Sequence, residues 1–445
     1  MKCVIPFCVV VLAISSLWAQ NESTPEPALS GETDRMSTPP PVSGLAYPVL
    51  VGDQERSNYL RGGLAFTSAY TDNALGGVMD HPISDISYSV APYVALDETT
   101  TRLHCLLTYA PGFTFYQRTS ARNEADQNAS IEVEYRLSPH VTFSAVDGFQ
   151  KSSNVFNQPD LAGAGAVSGG IDSANFSVIA PIADRLSNTG TVGIADQLSF
   201  NSMVGASGTF SNLHYPDPSQ VPGLYDAGSQ SGLAFYSLRF ARGQYVGATY
   251  QYQRLLSYPT SGNNETQTHA MLFFYTIQPD PRFSLSFFGG PQYSDTVSAP
   301  EFHVVPSHSW QPAGGASFNW QSRLSNFALG YTHIVAGGSG LVGAVQMDSA
   351  TASFRQQIAR RFSAGVAGGY TQNNVIGGFI AAIASGHSIS AGAYLQRQFG
   401  EHLNAQAGYT RLHQSYSNIT VFATTPDTNR EYVSLAYQFS RPLGR

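Results

Sequence analysis

Asn429-Arg-Glu-Tyr-Val-Ser-Leu-Ala-Tyr-Gln-Phe439, near the end of the chain, alternates with a period of two. Val433, Leu435, Tyr437 and Phe439 fall on one face; Ser434, Ala436, Gln438 and Ser440 fall on the other. Apolar residues set against small or polar ones at this spacing describe a strand that is greasy on one side and wet on the other. The stretch ends in Tyr437-Gln-Phe439, with aromatics where a membrane-water interface favours them. A closed sheet pairs its last strand with its first. The expectation is therefore an all-β chain: a transmembrane antiparallel up-and-down β-barrel.

The rest of the sequence fits that reading. From Tyr59 onward the chain reads as a meander of about eighteen strands, the first near 59–69, the next near 86–96 and 101–116, the last near 429–439. The even number suits a single-chain barrel. Tight connections such as Asp97-Glu98-Thr99-Thr100, Ser138-Pro139-His140 and Gly400-Glu401 alternate with long ones at 70–85, 150–188, 214–229, 294–308 and 414–428. Short periplasmic turns and long external loops are the rule for such barrels, which places both ends of the barrel on the periplasmic side.

Composition narrows the class further. Of 445 residues only 12% are charged, about half the usual share for soluble domains, while aromatics reach 12% and there are 42 glycines. After the first residues no stretch is apolar enough for a transmembrane helix. The formal net charge of -7 argues against a nucleic-acid partner. A soluble sandwich or propeller would keep its apolar face inside and many more charges outside, and charges are what this chain lacks.

Residues 1–19 read as a secretory signal peptide: Lys2, an apolar run from Val9 to Leu17, and Ala19 before Gln20. A lipid anchor at Cys8 is disfavoured, because Pro6-Phe7 precedes it and it lies too early. Residues 20–57 form a Pro-rich disordered periplasmic linker with Pro25, Pro27, Pro39, Pro40, Pro41 and Pro48. It is too short for a plug domain. The barrel is expected over 58–440, and 441–445 form a C-terminal extension. Cys105 is the one cysteine outside the signal, so no disulfide framework and no cysteine metal site follow. It sits among Leu103, Leu107 and Tyr109 as a small outward-facing residue.

Alternation also assigns the two faces. Ile131, Val133, Tyr135 and Leu137 are read toward lipid, so Ser130, Glu132, Glu134 and Arg136 face the lumen. Phe318 and Trp320 oppose Ser317, Asn319 and Gln321; Leu403, Ala405, Ala407 and Tyr409 oppose Asn404, Gln406, Gly408 and Thr410. Arg or Lys facing lipid near mid-membrane costs about 2–4 kcal/mol, whereas a wet lumen tolerates charge. The inward sets are hydrophilic, and the lumen reads as water-filled.

At this point the chain resembles the outer-membrane β-barrel proteins of Gram-negative bacteria, porin-like in size, over roughly residues 59 to 439. The resemblance is carried by the signal peptide, by alternating aromatic strands such as Tyr109-Ala-Pro-Gly-Phe-Thr-Phe-Tyr116, and by Tyr437-Gln-Phe439. It implies an outer-membrane location among lipid and lipopolysaccharide. It also implies recognition of the final strand by the barrel-assembly machinery, with Tyr437 and Phe439 as the signal. Ser434 stands where that signal carries Gly, and the chain runs on past the aromatic to Arg445.

Several constellations invite a functional reading. Arg102, His104, Glu132, Glu134 and Arg136 form an expected polar cluster at the periplasmic end, with His104 and Glu134 on neighbouring strands. Together with Asn319 and Gln406 they are the candidate lumen-lining residues. An ionic ladder that shapes a pore is favoured over a catalytic acid-base pair, because no nucleophile with an oriented base accompanies it. The chain is read as a non-enzyme without a cofactor. Loop 150–188 is long enough to require a reason. Folded inward it becomes a constriction with Asp172, Asp184 and Arg185 near the path; folded outward it is a flap. Acidic residues gather at the external ends and arginines at the periplasmic ends, and solvation of the two rims is preferred over a cation-gathering mouth. Gly338-Ser-Gly-Leu-Val-Gly343 matches a dinucleotide fingerprint by letter but opens no helix. His303 and His308 beside Trp310 offer too few ligands for a metal.

The leading expectation is an outer-membrane channel passing small hydrophilic solutes by passive diffusion. The alternative is a non-conducting structural or ligand-binding barrel, linked to surface polysaccharide binding or export.

Overall fold

The computed structural model describes residues 58–74, 82–154, 182–221, 223–259, 262–280, 282–298, 307–338, 340–376, 385–417 and 427–443. They form a single 18-stranded antiparallel sheet closed on itself. The strands in order are β1 (Tyr59–Thr71), β2 (Asp85–Thr99), β3 (Leu103–Tyr116), β4 (Glu124–Arg136), β5 (Val141–Asn154) and β6 (Ile182–Ser199). They continue with β7 (Ser202–His214), β8 (Asp226–Ala241), β9 (Gln244–Tyr258), β10 (Asn264–Asp280), β11 (Phe283–Ser298) and β12 (Ser307–Gln321). The last six are β13 (Ser325–Gly338), β14 (Val342–Ala359), β15 (Phe362–Val375), β16 (Ser385–Phe399), β17 (Leu403–Tyr416) and β18 (Asp427–Pro442). Every strand pairs with its neighbours in sequence, and β18 closes the sheet on β1 from Tyr59↔Pro442 to Thr71↔Arg430. No strand is left with a bare edge.

All eighteen expected strands are present, and many run further toward the external end than alternation suggests. The expected loop 150–188 overlaps both neighbouring strands, since β5 continues to Asn154 and β6 begins at Ile182; residues 155–181 of it lie outside the described residues. Most of the added residues are polar or small (Gln150, Ser152, Ser153, Ser187, Asn188), so their side chains give no clear period. The ladder needs only backbone groups and carries on regardless. β18 likewise reaches Pro442, and Leu443 N–H donates to Asn58 O at 2.9 Å.

The outer wall explains why the chain needs lipid. Leu64, Phe66, Val192, Ile194, Val366 and Leu435 all point outward and are exposed. They lie between two aromatic girdles, with Tyr70, Tyr88, Tyr331, Tyr370 and Tyr409 toward the external side and Phe200, Phe240, Trp320, Phe399 and Phe439 toward the periplasmic side. A continuous apolar belt of this extent is untenable in water and is the lipid-facing surface of a membrane barrel. The location is the outer membrane. Toward the external ends the outward positions turn polar, with His333–Asp348 at 2.7 Å and His413–Asp427 at 3.0 Å. Those pairs mark where the wall leaves the bilayer.

A glycine-aromatic device shapes the inner wall. Gly63, Gly205, Gly247, Gly315, Gly365 and Gly408 each sit in register with an inward aromatic on an adjacent strand: Tyr93, Phe235, Phe274, Phe288, Tyr394 and Tyr432. A Cβ on any of these glycines would lie 2.4–2.6 Å from the ring. The ring lies flat over the bare backbone instead of standing into the lumen. On the outer face, the Phe439 ring covers Gly62 in the same way at the β1–β18 seam.

Candidate channel interior

Register fixes which side chains share the lumen. His104 on β3 and Glu134 on β4 are direct cross-strand partners, as alternation predicts. Glu134 lies 4.0 Å from Arg136 on its own strand. His104 turns to the neighbouring strand, where its Nε2 meets Asp97 at 3.3 Å, and Asp97 also faces Arg61 at 3.6 Å. The ladder therefore spans β1 to β4, and its carboxylates are answered by cations. Glu132 faces inward opposite Leu106 and Val146. Arg102 stands in the exposed β2–β3 turn, where its carbonyl accepts from Arg136 N–H at 2.8 Å.

Arg61 and Asp97 are absent from the sequence-derived set. Asp97 reads as the first residue of a polar turn, but β2 runs on to Thr99. Counting by two from Tyr93 and Ala95 would have put Asp97 on the inward row. On the far wall Asn319 pairs with Ser284 and Ala328. Gln406 donates through Nε2 to the Tyr432 hydroxyl at 2.9 Å. Both face inward.

The lumen is less uniformly hydrophilic than the alternation of β4, β12 and β17 suggests. Met203, Leu233, Phe235, Leu272, Phe274 and Phe288 face inward from β7 to β11 and form one buried apolar cluster. Three of these rings are the ones laid over glycines. On the remaining strands, β12 to β18 and β1 to β6, the inward rows are mostly polar or small.

Toward the external end two segments fold into the interior. After β7 the chain makes a short 3-10 turn at Pro218–Gln220, begun by Asp217, whose carboxylate accepts from Ser219 N–H at 3.1 Å. It then brings Val221 and Leu224 into a buried cluster with Leu213, Tyr215 and Tyr416 of β17, against which Leu341 and Val342 pack. Val221 is fully buried. The second segment is the β13–β14 turn, the place of the glycine-rich stretch that matched a nucleotide fingerprint. Tyr225 N–H donates to Gly340 O at 2.9 Å. Gly340 has φ +77°, and a Cβ there would lie 2.2 Å from Tyr225 O and 2.6 Å from the Tyr215 ring. Only glycine allows this approach. Val335 and Ala344 below the turn pack on Leu255 of β9.

Of the predicted constriction residues, Asp172 lies outside the described residues. Asp184 N–H donates to Gln220 Oε1 at 2.9 Å, and Gln220 Nε2 donates back to the Asp184 carboxylate at 3.0 Å. That exchange ties the inward-folded loop to β6. Arg185 lies within electrostatic reach of Tyr215 and Asp126. Burial pushes the Tyr215 hydroxyl up to about 12, and burial likewise raises Tyr225, so both stay neutral at physiological pH. The narrowing was hidden in stretches that read as solvent loops. Its signal was their apolar content: Val221, Leu224 and Tyr225 in one, Leu341 and Val342 in the other.

At the periplasmic end the inner wall of β12 to β18 encloses an open cavity of about 480 Å³. Arg323, Arg355, Arg360 and Arg361 line it with one carboxylate, Glu401. Among the described residues none of these four guanidiniums has an ion-pair partner. Among the described residues no three potential metal ligands gather.

No protein-family profile and no curated protein sequence matches the chain. Solved structures overlap it in architecture. The outer membrane protein OpdK of Pseudomonas aeruginosa is 10% identical, with a TM-score of 0.43 over 86% of this chain and 99% of that one. OccAB4 of Acinetobacter baumannii is 10% identical, with a TM-score of 0.42 over 87% and 100%. The FrpB iron transporter of Neisseria meningitidis is 11% identical, with a TM-score of 0.39 over 80% and 62%, so the chain spans less than two thirds of its length. At these values nothing passes from them to individual residues here, and the barrel is argued from its own closure, belt and lumen.

Proposed function

We propose that the protein is an outer-membrane channel through which small hydrophilic solutes diffuse passively. The observation that carries this reading is a closed 18-strand wall whose inward rows on β1 to β5 and β13 to β18 are mostly polar or small. Barrels of about 16 to 18 strands enclose an aqueous path when their interior side chains lie against the wall. The rings laid over glycine keep this interior wide. The narrowing where the β7–β8 loop meets the β13–β14 turn sets the size limit for solutes, and the ladder of Arg61, Asp97, His104, Glu134 and Arg136 lines the path below it. Insertion is proposed to proceed through the barrel-assembly machinery, with Tyr437 and Phe439 on the outer face of β18 as the recognised aromatics.

A second reading is favoured by the same constriction. If the buried contacts around Val221 and Gly340 close the path, the barrel is a non-conducting one that binds its ligand in the lumen or at its external surface. Single-channel recording of the refolded full-length protein in a planar bilayer separates the two. Stable conductance steps are expected. A folded, heat-modifiable barrel that never conducts would overturn the channel.

A further inference from the structure

We infer that the periplasmic vestibule binds a small anionic solute, one that carries a carboxylate, phosphate or sulfate on a hydroxyl-rich body. This deepens the channel reading by naming the solute class, and it rests on charge compensation inside the barrel. On β1 to β4 two inward carboxylates have partners of their own: Asp97 with Arg61 and the His104 imidazole, Glu134 with Arg136. Across the lumen, Arg323, Arg355, Arg360 and Arg361 surround one cavity with Glu401 as its only carboxylate. None of the four is ion-paired among the described residues. Among the described residues the cavity therefore carries net positive charge that no ion pair answers. Concave walls concentrate such a field.

Rim solvation accounts for Arg323, Arg360 and Arg361, which lie in or beside turns. It does not account for Arg355. That residue lies within β14, in register with Asn326 on one side and Gly365 on the other, on the inward row between Ser353 and Gln357. A guanidinium presents a planar fork of donors that matches a carboxylate or phosphate in two parallel hydrogen bonds. The rest of the lining supplies amides: Gln357, Gln396 and Gln438 all face inward. Amides both donate and accept and so suit hydroxyl groups. The volume of about 480 Å³ falls within the roughly 300–1,000 Å³ typical of small-molecule sites.

The test is calorimetric titration of the full-length refolded protein in detergent with glucose 6-phosphate and with glucose, which differ in little but the anion. Glucose 6-phosphate is expected to bind, with affinity falling as salt rises, and glucose is not. Arg355→Gln, with Arg360→Gln added, should weaken binding about 10- to 100-fold, the loss expected for a charge-assisted pair. Arg355→Lys should recover part of it. Heat-modifiability checks that each variant is folded. Equal binding of glucose, no binding of glucose 6-phosphate, or an Arg355→Gln/Arg360→Gln double variant that binds like wild type would overturn the site. A barrel that binds glucose 6-phosphate but never conducts keeps the site and removes the diffusion channel. A conducting barrel that binds no anion does the reverse.

Discussion

Replacing Gly340 with alanine tests the external narrowing directly. The residue has φ +77°, and its missing Cβ would sit 2.2 Å from Tyr225 O, against about 3.4 Å for ordinary contact. The two backbones must part by about 1 Å before an alanine fits, which strains the 2.9 Å hydrogen bond from Tyr225 N–H to Gly340 O. A left-handed conformation costs an L-residue about 1–2 kcal/mol. The hydrogen bond contributes about 0.5–1.5 kcal/mol net. The two together weigh about 2–3 kcal/mol against the joined arrangement, a shift of roughly 30- to 150-fold toward the parted one. The barrel ladder is untouched, so the variant should fold. Gly223→Ala is the control: that glycine has φ +89° with nothing within 4 Å of its missing Cβ, so it carries the backbone strain without the collision. In planar bilayers Gly340→Ala should show larger or more frequent open steps than wild type, and Gly223→Ala, which shares the strain but not the collision, should show a smaller change. A folded Gly340→Ala barrel with wild-type conductance and gating would refute the idea that this contact limits the path.

Other perturbations follow from the same geometry. Gly365→Val places a branched side chain where the Tyr394 ring now lies, 2.4 Å from the Cβ position; it should cost about 1–3 kcal/mol and lower the heat-modification temperature, and an unchanged temperature would contradict the ring-on-glycine account. Asp97→Asn removes the carboxylate shared by Arg61 and His104; the reversal potential in a salt gradient should move toward anions, and no movement would mean the ladder lies off the conducting path. Phe439→Ala uncovers Gly62 at the closing seam; the urea midpoint for unfolding from vesicles should fall, whereas Phe399→Ala, away from the seam, should lower it less. Deleting 155–181 tests the other predicted constriction: conductance should change if that loop reaches the path, and surface binding alone should change if it is an external flap.

The legibility of the chain varies with what each strand faces. β18 could be read because Val433, Leu435, Tyr437 and Phe439 meet lipid while Ser434 and Gln438 meet the lumen, so chemistry reports geometry at every second residue. The pairing of His104 with Glu134 followed from the same alternation plus a short turn, which leaves little freedom of register. The external ends of β5 and β6 were illegible because their inward face is covered by a loop from elsewhere in the chain, so Ser152, Ser153 and Ala183 are buried without an apolar period to announce it. On β7 to β11 the inward row mixes Phe235, Leu272, Phe274 and Phe288 with Ser237, Thr249, Thr276 and Ser286, so an apolar patch interrupts the expected polar row.

By itself the sequence determined the class: a closed, lipid-facing barrel of eighteen strands with its turns on one side and its loops on the other. Those properties depend on local alternation and on a belt of exposed apolar residues, each written into a few neighbouring positions. Tertiary structure alone decided the interior. The seating of Val221 against Tyr416, the approach of Tyr225 to Gly340 and the gathering of Arg323, Arg355, Arg360 and Arg361 join residues from different strands and loops. The first two arise only when the sheet closes and brings distant strands to face each other; the arginines lie on successive turns and strands, and only the pairing of β13 with β14 and of β14 with β15 sets them round one cavity.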